Sequence, residues 1–358
     1  MTEAFTLLLE ELVKIPSLSG QEAAASNYLA QWMLNHDMWG FVDGVGNVVG
    51  GKGGGPNEII LLGHIDTFPG QLPVYRQDNL LFGRGSVDAK GPLCAFAAAA
   101  SLVDVPPGWR LTVVGAVEEE TAGSKGARHL LERRRLNPPR FCVIGEPSQW
   151  DRLTLGYKGR LLLHLSLQVP FSHSAGPGQL PAECGVNLWQ AIQEYANSIN
   201  QKRTKAFDKL DVALRGFNSL DQGAFGQVDL QIGFRLPEDI APAELEQTLR
   251  ELITLYTEDW PTTLQFESHE VAYRAAKSTP LVRAFLRAIR ETDGKPRFVL
   301  KTGTADMNVV APVWQCPILA YGPGDSSLDH TPEEHLNLDD YLKSIDVLRH
   351  ALAALMAD

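Results

Sequence analysis

Cysteine is scarce in this chain. Four thiols, Cys94, Cys142, Cys184 and Cys316, are spread over 358 residues. None forms a close pair, so neither a disulfide framework nor a structural zinc knuckle is written into the spacing. Cys94 and Cys142 sit in apolar surroundings and read as buried thiols. Basic residues are the minority charge: 32 Lys and Arg stand against 43 Asp and Glu, a formal net charge of −11. A nucleic-acid binder needs a basic surface to meet phosphates, so this balance argues against that class. No apolar run approaches the roughly 20 residues that cross a bilayer. The first segment, MTEAFTLLLEELVKIP, carries acids where a signal peptide has a basic leader, and reads as an amphipathic helix. The expected setting is the cytoplasm, with neither a membrane nor a nucleic acid as partner. A phosphate loop is missing too. GKGGG at 51–55 lacks the Lys-Ser/Thr ending and precedes a strand, so it is expected to be a turn.

Apolar and charged residues are ordinary in share, 44% and 21%, and the length allows more than one core. Helix is expected over 3–14, stopped by Pro16. SGQE at 19–22 has capping-box spacing and is expected to start a second helix running to about His36. Ile59 to Leu62 form a continuous apolar run, the pattern of a strand buried on both faces. An alanine-rich helix begins near Gly91 and Pro92. RLTVVGAV at 110–117 and RFCVIGEP at 140–147 are further strands, with the helix of GSKGARHLLERRR between them. Alternating strand and helix predicts an α/β sheet covered by helices. Near residue 156 the order becomes strand, helix, strand, strand, helix, strand, that of the split βαβ fold. The expected organisation is therefore a discontinuous main domain with a mixed sheet, residues 1–156 and 271–358. An inserted α+β, ferredoxin-like domain is expected over 157–270.

Acids and histidines collect where the strands end. His64 and Asp66 follow the strand at 59–63. Asp88 lies in the turn GRGSVDAKG, Glu118, Glu119 and Glu120 follow the next strand, and Glu146 follows the third. His330 comes from a later loop, DSSLDHTPEEH. In open α/β sheets ligands bind at the carboxyl ends of strands. Carboxylates gathered there repel one another unless they are protonated or neutralised by a cation. Any one of these acids alone is a helix cap or a surface group; their convergence favours a metal. Mixed imidazole and carboxylate donors suit zinc, cobalt or manganese better than magnesium or copper. A carboxylate beyond the ligands could act as general base towards metal-bound water.

The motifs GHIDT (63–67), GRGSVDAKG (83–91), EEE (118–120), GEPS (145–148) and the histidine of DHTPEE resemble, in order and spacing, the co-catalytic zinc aminoacylases and carboxypeptidases of peptidase family M20. The likeness covers nearly the whole chain. It implies an amide hydrolase with two divalent metals per subunit, Zn2+ or Co2+, and an inserted lid that pairs two copies into a homodimer. Carried onto this sequence, His64, Asp88 and Glu146 would hold one ion. Asp88, Glu120 and His330 would hold the other, with Asp88 bridging. Asp66 would orient His64, and Glu119 would be the base. The family's Asp-Glu-Glu-x-Gly-Ser is one residue longer here, which leaves Glu118 as the alternative base. His173 in PFSHSAGPG resembles the lid histidine that reaches the partner's site. Arg235 resembles the arginine that pairs with a substrate carboxylate. Asn187, Gly303 and Thr304 lie in segments that contact substrate in relatives.

Within the family, EEE and KTGTADMN look most like the deacylases of lysine and arginine biosynthesis. That likeness implies an acylated diamino acid, or one linked to an amino-group carrier protein, as substrate. An acidic carrier would call for a basic mouth, and ARHLLERRR and QKRTKAFDK are the local basic tracts. The alternatives are a cytoplasmic di- or tripeptidase or carboxypeptidase of the same family, a dimetal phosphoryl-transfer enzyme, and a non-catalytic metal-binding scaffold. The segments around the candidate ligands are poor in the Lys and Arg that phosphoryl transfer needs, and no ligand or base is missing as in a scaffold.

Overall fold

The computed structural model describes residues 2–134, 137–170, 178–257 and 260–357. His173 lies outside them. The chain divides into two compact units: residues 1–156, 274–300 and 305–358 in one, 157–273 and 301–304 in the other.

The first unit opens with α1 (Thr2–Lys14), α2 (Ala23–Leu34), β1 (Trp39–Val42), β2 (Val48–Gly53) and β3 (Asn57–His64). Then come β4 (Tyr75–Gln77), β5 (Leu80–Phe82), α3 (Lys90–Leu102), β6 (Trp109–Ala116), α4 (Lys125–Arg134), β7 (Phe141–Gly145) and β8 (Arg152–Tyr157). The second unit supplies β9 (Gly159–Pro170), α5 (Pro181–Asn200), β10 (Asp211–Gln222), β11 (Phe225–Leu236), α6 (Pro242–Thr257) and β12 (Thr262–Glu270). The chain ends with β13 (Tyr273–Arg274), α7 (Pro280–Glu291), β14 (Arg297–Lys301), α8 (Asp306–Trp314), β15 (Ile318–Ala320), β16 (His335–Asn337) and α9 (Leu338–Ala357).

In the first unit the large sheet runs β1-β2-β6-β3-β7-β15-β8 through its centre. β3 is parallel to β6 and β7, and β15 is parallel to β7, whereas β1–β2, β2–β6 and β15–β8 are antiparallel. The sheet is mixed, as the alternation of elements predicted. Residues 58–64 of β3 and all of β7 are buried. Such runs form because helices cover both faces and leave no side for polar groups. α3, rich in alanine, is buried from Lys90 to Ala100. Its Leu93 packs over Gly63 of β3, where an added Cβ would stand 3.4 Å from the Leu93 Cβ.

Two local expectations fail, each for a physical reason. GKGGG is not simply a turn, because Gly51 to Gly53 continue β2. A Cβ at Gly51 would stand 2.0 Å from the Leu111 carbonyl oxygen, so glycine is required by the approach of β6. SGQE does not form a capping box. The residue before α2 is Glu22, with no side-chain cap. Its carboxylate instead accepts the N–H groups of Gly20 (2.9 Å) and Glu118 (3.1 Å).

The second unit has an antiparallel sheet ordered β10-β11-β9-β12. Burial alternates along β9 and β11. Leu161, Leu163, Leu165 and Val228, Leu230, Ile232 face a core completed by Leu188, Ile192, Leu249 and Ile253 of α5 and α6. Helices cover one face only, which gives the period-two pattern.

Candidate metal centre

Every ligand-type residue singled out at the strand ends belongs to the first unit. β3 ends on His64, which is 2% exposed. β6 ends at Ala116 and runs into Glu118 to Glu120, and β7 ends at Gly145 and runs into the buried Glu146. The three parallel strands share a register in which Gly63 lies opposite both Gly115 and Gly145. Their ends therefore arrive side by side. Asp88 comes from the loop before α3, and His330 from the loop before β16.

Asp88 stands between the two imidazoles. Its Oδ1 is 3.3 Å from His64 Nε2 and its Oδ2 is 3.1 Å from His330 Nε2. Glu120 Oε1 is 3.0 Å from the same His330 nitrogen. Among the described residues, donor atoms of His64, Asp88 and Glu120 lie within 4.8 Å of one another. The His330 ring stacks on Phe68 at 4.1 Å between centroids, tilted by 10°.

Asp66 is completely buried and serves as a hub. Its carboxylate accepts the Ser19 hydroxyl (2.7 Å) and the N–H groups of Glu119 (3.1 Å) and Glu120 (3.0 Å). His64 Nδ1 is 3.0 Å from the Asp66 main-chain oxygen and 3.4 Å from its carboxylate. Asp66 thus holds both the imidazole and the backbone of the acidic turn.

The electrostatics describe a site that seeks cations. Burial pushes the His64 imidazole down, but the Asp66 and Asp88 carboxylates outweigh it and hold the ring well above its ordinary range. His330 goes the same way: burial is overcome by hydrogen bonding to Asp88 and Glu120, which raises it to about 10. Asp88 is lowered, because the two imidazoles outweigh the cost of its burial. Glu119 is pushed well above the carboxylate range by loss of solvent; His64 opposes the shift, while Glu146, Asp306 and Glu120 add to it. Glu118 differs. It turns outward and pairs with Lys125 at 2.6 Å. Carboxylates that favour a positive charge on each ring nitrogen would equally favour a divalent cation placed between the ring nitrogen and the carboxylate, with the ring as a ligand. The donor set fits such an ion.

The remaining singled-out residues lie in the second unit. Arg235, half-buried at the end of β11, donates through Nη1 to Thr304 Oγ1 at 2.5 Å. Thr304 in turn donates to the Lys158 carbonyl at 3.0 Å. A Cβ on Gly303 would meet open space. Asn187 is not part of that group. It lies on α5 and lines a cleft of about 270 Å³ with Gln179, Gln190, Glu194, Tyr256 and Trp260.

The Arg134 guanidinium pairs with Glu58, near the start of β3, at the opposite end of the strand from His64. In QKRTKAFDK, Arg203 is committed to both carboxylate oxygens of Asp239, at 2.9 and 2.6 Å.

Sequence reasoning missed several residues that shape the site, three of them around the acidic turn and α8. Ser19 and Glu22 were absorbed into a capping pattern. Asp306, 3% exposed at the start of α8, keeps one oxygen without a partner, and burial raises it to about 7. It lies in the quoted KTGTADMN segment, yet no spacing ties it to His64 or Glu119. No helix of the described chain is long and apolar enough to cross a membrane.

Residues 60–354 match the profile of peptidase family M20/M25/M40. The chain is 43% identical over 357 residues to the LysW-lysine hydrolase of Deinococcus radiodurans, covering 98% of this chain and 96% of that protein. It is 27% identical over 287 residues to the LysW-lysine/LysW-ornithine hydrolase of Saccharolobus islandicus, covering 80% and 78%. Among solved structures, the M20 family metallo-carboxypeptidase Sso-CP2 of Sulfolobus solfataricus superposes with a TM-score of 0.81 at 16% identity, over 99% of each chain. That last likeness speaks to the fold.

Proposed function

The chain belongs to peptidase family M20/M25/M40, and from that premise we propose that it releases lysine or ornithine from the carrier protein LysW by hydrolysing the amide that joins them. It is a metal-dependent hydrolase. The observation that carries the substrate is the 43% identity, along almost the whole length of both chains, to a LysW-lysine hydrolase.

His64, Asp88 and Glu146 would hold one divalent ion, and Asp88, Glu120 and His330 a second. The placement of each Asp88 oxygen opposite a different imidazole supports the bridging role. Five carboxylates, Asp66, Asp88, Glu119, Glu120 and Glu146, accompany two imidazoles, an excess of negative charge that two divalent cations would largely offset. Zinc or cobalt suits these donors, and when bound supplies Lewis acidity to the amide carbonyl and to water.

The chain's own groups do the rest. Glu119, with its raised proton affinity, takes a proton from water and passes it to the leaving nitrogen. Glu118 is spent on Lys125. Asp66 fixes the backbone of Glu119 and Glu120, so the base and a ligand keep one spacing. Arg235, aimed by Thr304, pairs with the free carboxylate of the amino acid.

The inserted unit acts as a ferredoxin-like lid and pairing domain. β10 is an edge strand, and Val186, Phe217, Leu220 and Phe225 are exposed on that unit. An unpaired edge with exposed apolar side chains suits a second copy. His173 would then serve the partner's site, and Asn187 would contact substrate from the same lid. Mixing inactive His173→Ala and Glu119→Gln proteins should restore part of the activity. Verified heterodimers without recovery would place His173 in its own chain's site.

The deciding experiment is a competition panel on one metal-loaded preparation: LysW-linked lysine, LysW-linked ornithine, N-acetyl-lysine, N-acetyl-ornithine and several dipeptides. The carrier-linked compounds should give the highest kcat/KM. Dipeptides ahead of every acylated diamino acid would overturn the proposal in favour of a cytoplasmic peptidase.

A further inference from the structure

Glu334 lies four residues after His330 and is 1% exposed. A buried carboxylate is costly unless its lone pairs are met, and these are met in an unusual way. Oε1 accepts three main-chain N–H groups, from Gly85 at 2.9 Å, Val87 at 3.0 Å and Asp88 at 3.2 Å. Oε2 accepts Arg84 Nη1 at 2.7 Å. The Gly83 N–H adds a bond of 3.2 Å to the Glu334 main-chain oxygen. The loop that carries Asp88 is therefore wound around one side chain from the segment that carries His330.

The circuit closes on its other side. Arg84 also donates through Nε to the Gly70 carbonyl at 3.0 Å, and its guanidinium lies 6.0 Å from the centre of the Phe68 ring. Phe68 is the ring on which His330 stacks. β16 continues from Glu334 and pairs with β5, just ahead of Arg84. One carboxylate thus reaches Asp88 through its backbone and His330 through Arg84 and Phe68.

We propose that Glu334, acting with Arg84, is a positioning residue that sets the separation of Asp88 and His330 and so governs the affinity of the ion held between them. It touches no ligand side chain and no reacting atom. The proposal rests on the metal reading of the site. Residues that orient metal ligands typically change affinity by about 10- to 100-fold when removed. Glu334→Ala should fall in that range. Glu334→Gln keeps an oxygen for the three N–H groups and loses the charge that meets Arg84, so its loss should be smaller. Arg84→Lys should resemble it.

The test is zinc affinity by chelator competition, together with the thermal midpoint of the metal-free and metal-loaded forms. The expected result is a graded loss of affinity, Ala greater than Gln, and a smaller rise in midpoint on metal loading than in the wild type. Excess zinc should restore kcat in Glu334→Gln with KM unchanged. A merely structural residue would lower both midpoints equally and leave the metal-induced rise intact, and that outcome overturns the proposal. If Glu334→Ala does not fold, Glu334→Gln and Arg84→Lys carry the same comparison. Wild-type protein that binds no zinc would instead sink the metal reading itself.

Discussion

β3 and β9 are both strands rich in aliphatic residues, yet they are built differently. β3 is buried along its whole length but for its first residue, because helices cover both faces of its sheet. Its only outlets for polar chemistry are its ends, and there His64 and Asp66 stand. β9 alternates buried and half-exposed positions. Among the described residues the helices of its unit lie against one face of its sheet, and the residues singled out there include a cation and an amide rather than a nest of acids. On the function proposed above, the contrast separates bond cleavage from recognition within one chain. A sheet closed on both sides concentrates charge at its rim, where burial shifts proton affinities. A sheet closed on one side offers area.

Variants can break that contrast. The largest effect is expected for the first unit: Asp88→Ala should lose both ions, read by metal analysis, and all measurable turnover. Glu119→Gln should keep its metal yet lower kcat by roughly 10²- to 10⁴-fold, the usual span for a general base. Glu118→Gln should stay within a few-fold of wild type. Full metal occupancy in Asp88→Ala would end the bridging assignment, and a reversed order of the two glutamates would move the base. Smaller is the effect expected in the second unit. Arg235→Ala should raise KM by about 10- to 150-fold, the worth of a charge-assisted hydrogen bond of about 1.5–3 kcal/mol, with kcat little changed. Arg235→Lys, which keeps charge but loses the planar fork, should fall between. An equal drop in kcat from either substitution would show that Arg235 acts in the transition state and that the division of labour is wrong.

Much of this was legible in the sequence because strands buried on both faces announce themselves. Ile59 to Leu62, and the runs before Glu118 and Glu146, could hardly be anything else, and their ends named the ligand-type residues. The order of elements in the inserted unit followed from the period-two pattern of β9 and β11. α8 was missed: Pro312 sits inside it and its short apolar sequence shows no helical period. The short strands β4, β5 and β16 have three residues each, too few to show alternation. Glu22 was misassigned because a capping pattern is local, whereas its partner is the N–H of Glu118, 96 residues away. Glu334 escaped notice for a related reason. Its acceptors serve backbone N–H groups, which every residue but proline carries and no sequence motif marks.

The division of the first unit into separated stretches of chain has a consequence for biosynthesis. The second unit is almost wholly one continuous stretch, 157–273, and a ribosome can release it complete. The first unit has no such option. Ser19 awaits Asp66 and Glu22 awaits Glu118, while Asp88 awaits both His330 and Glu334. The Tyr341 hydroxyl, in the last helix, donates to the carbonyl of Phe5 in the first at 3.2 Å. Contacts so distant along the chain close slowly. A nascent chain halted before residue 330 would hold a finished inserted unit and a metal centre lacking one imidazole, the carboxylate that shapes the Asp88 loop and the helix that seals its start. Synthesis through Glu334 therefore precedes any chance of completing the proposed metal site.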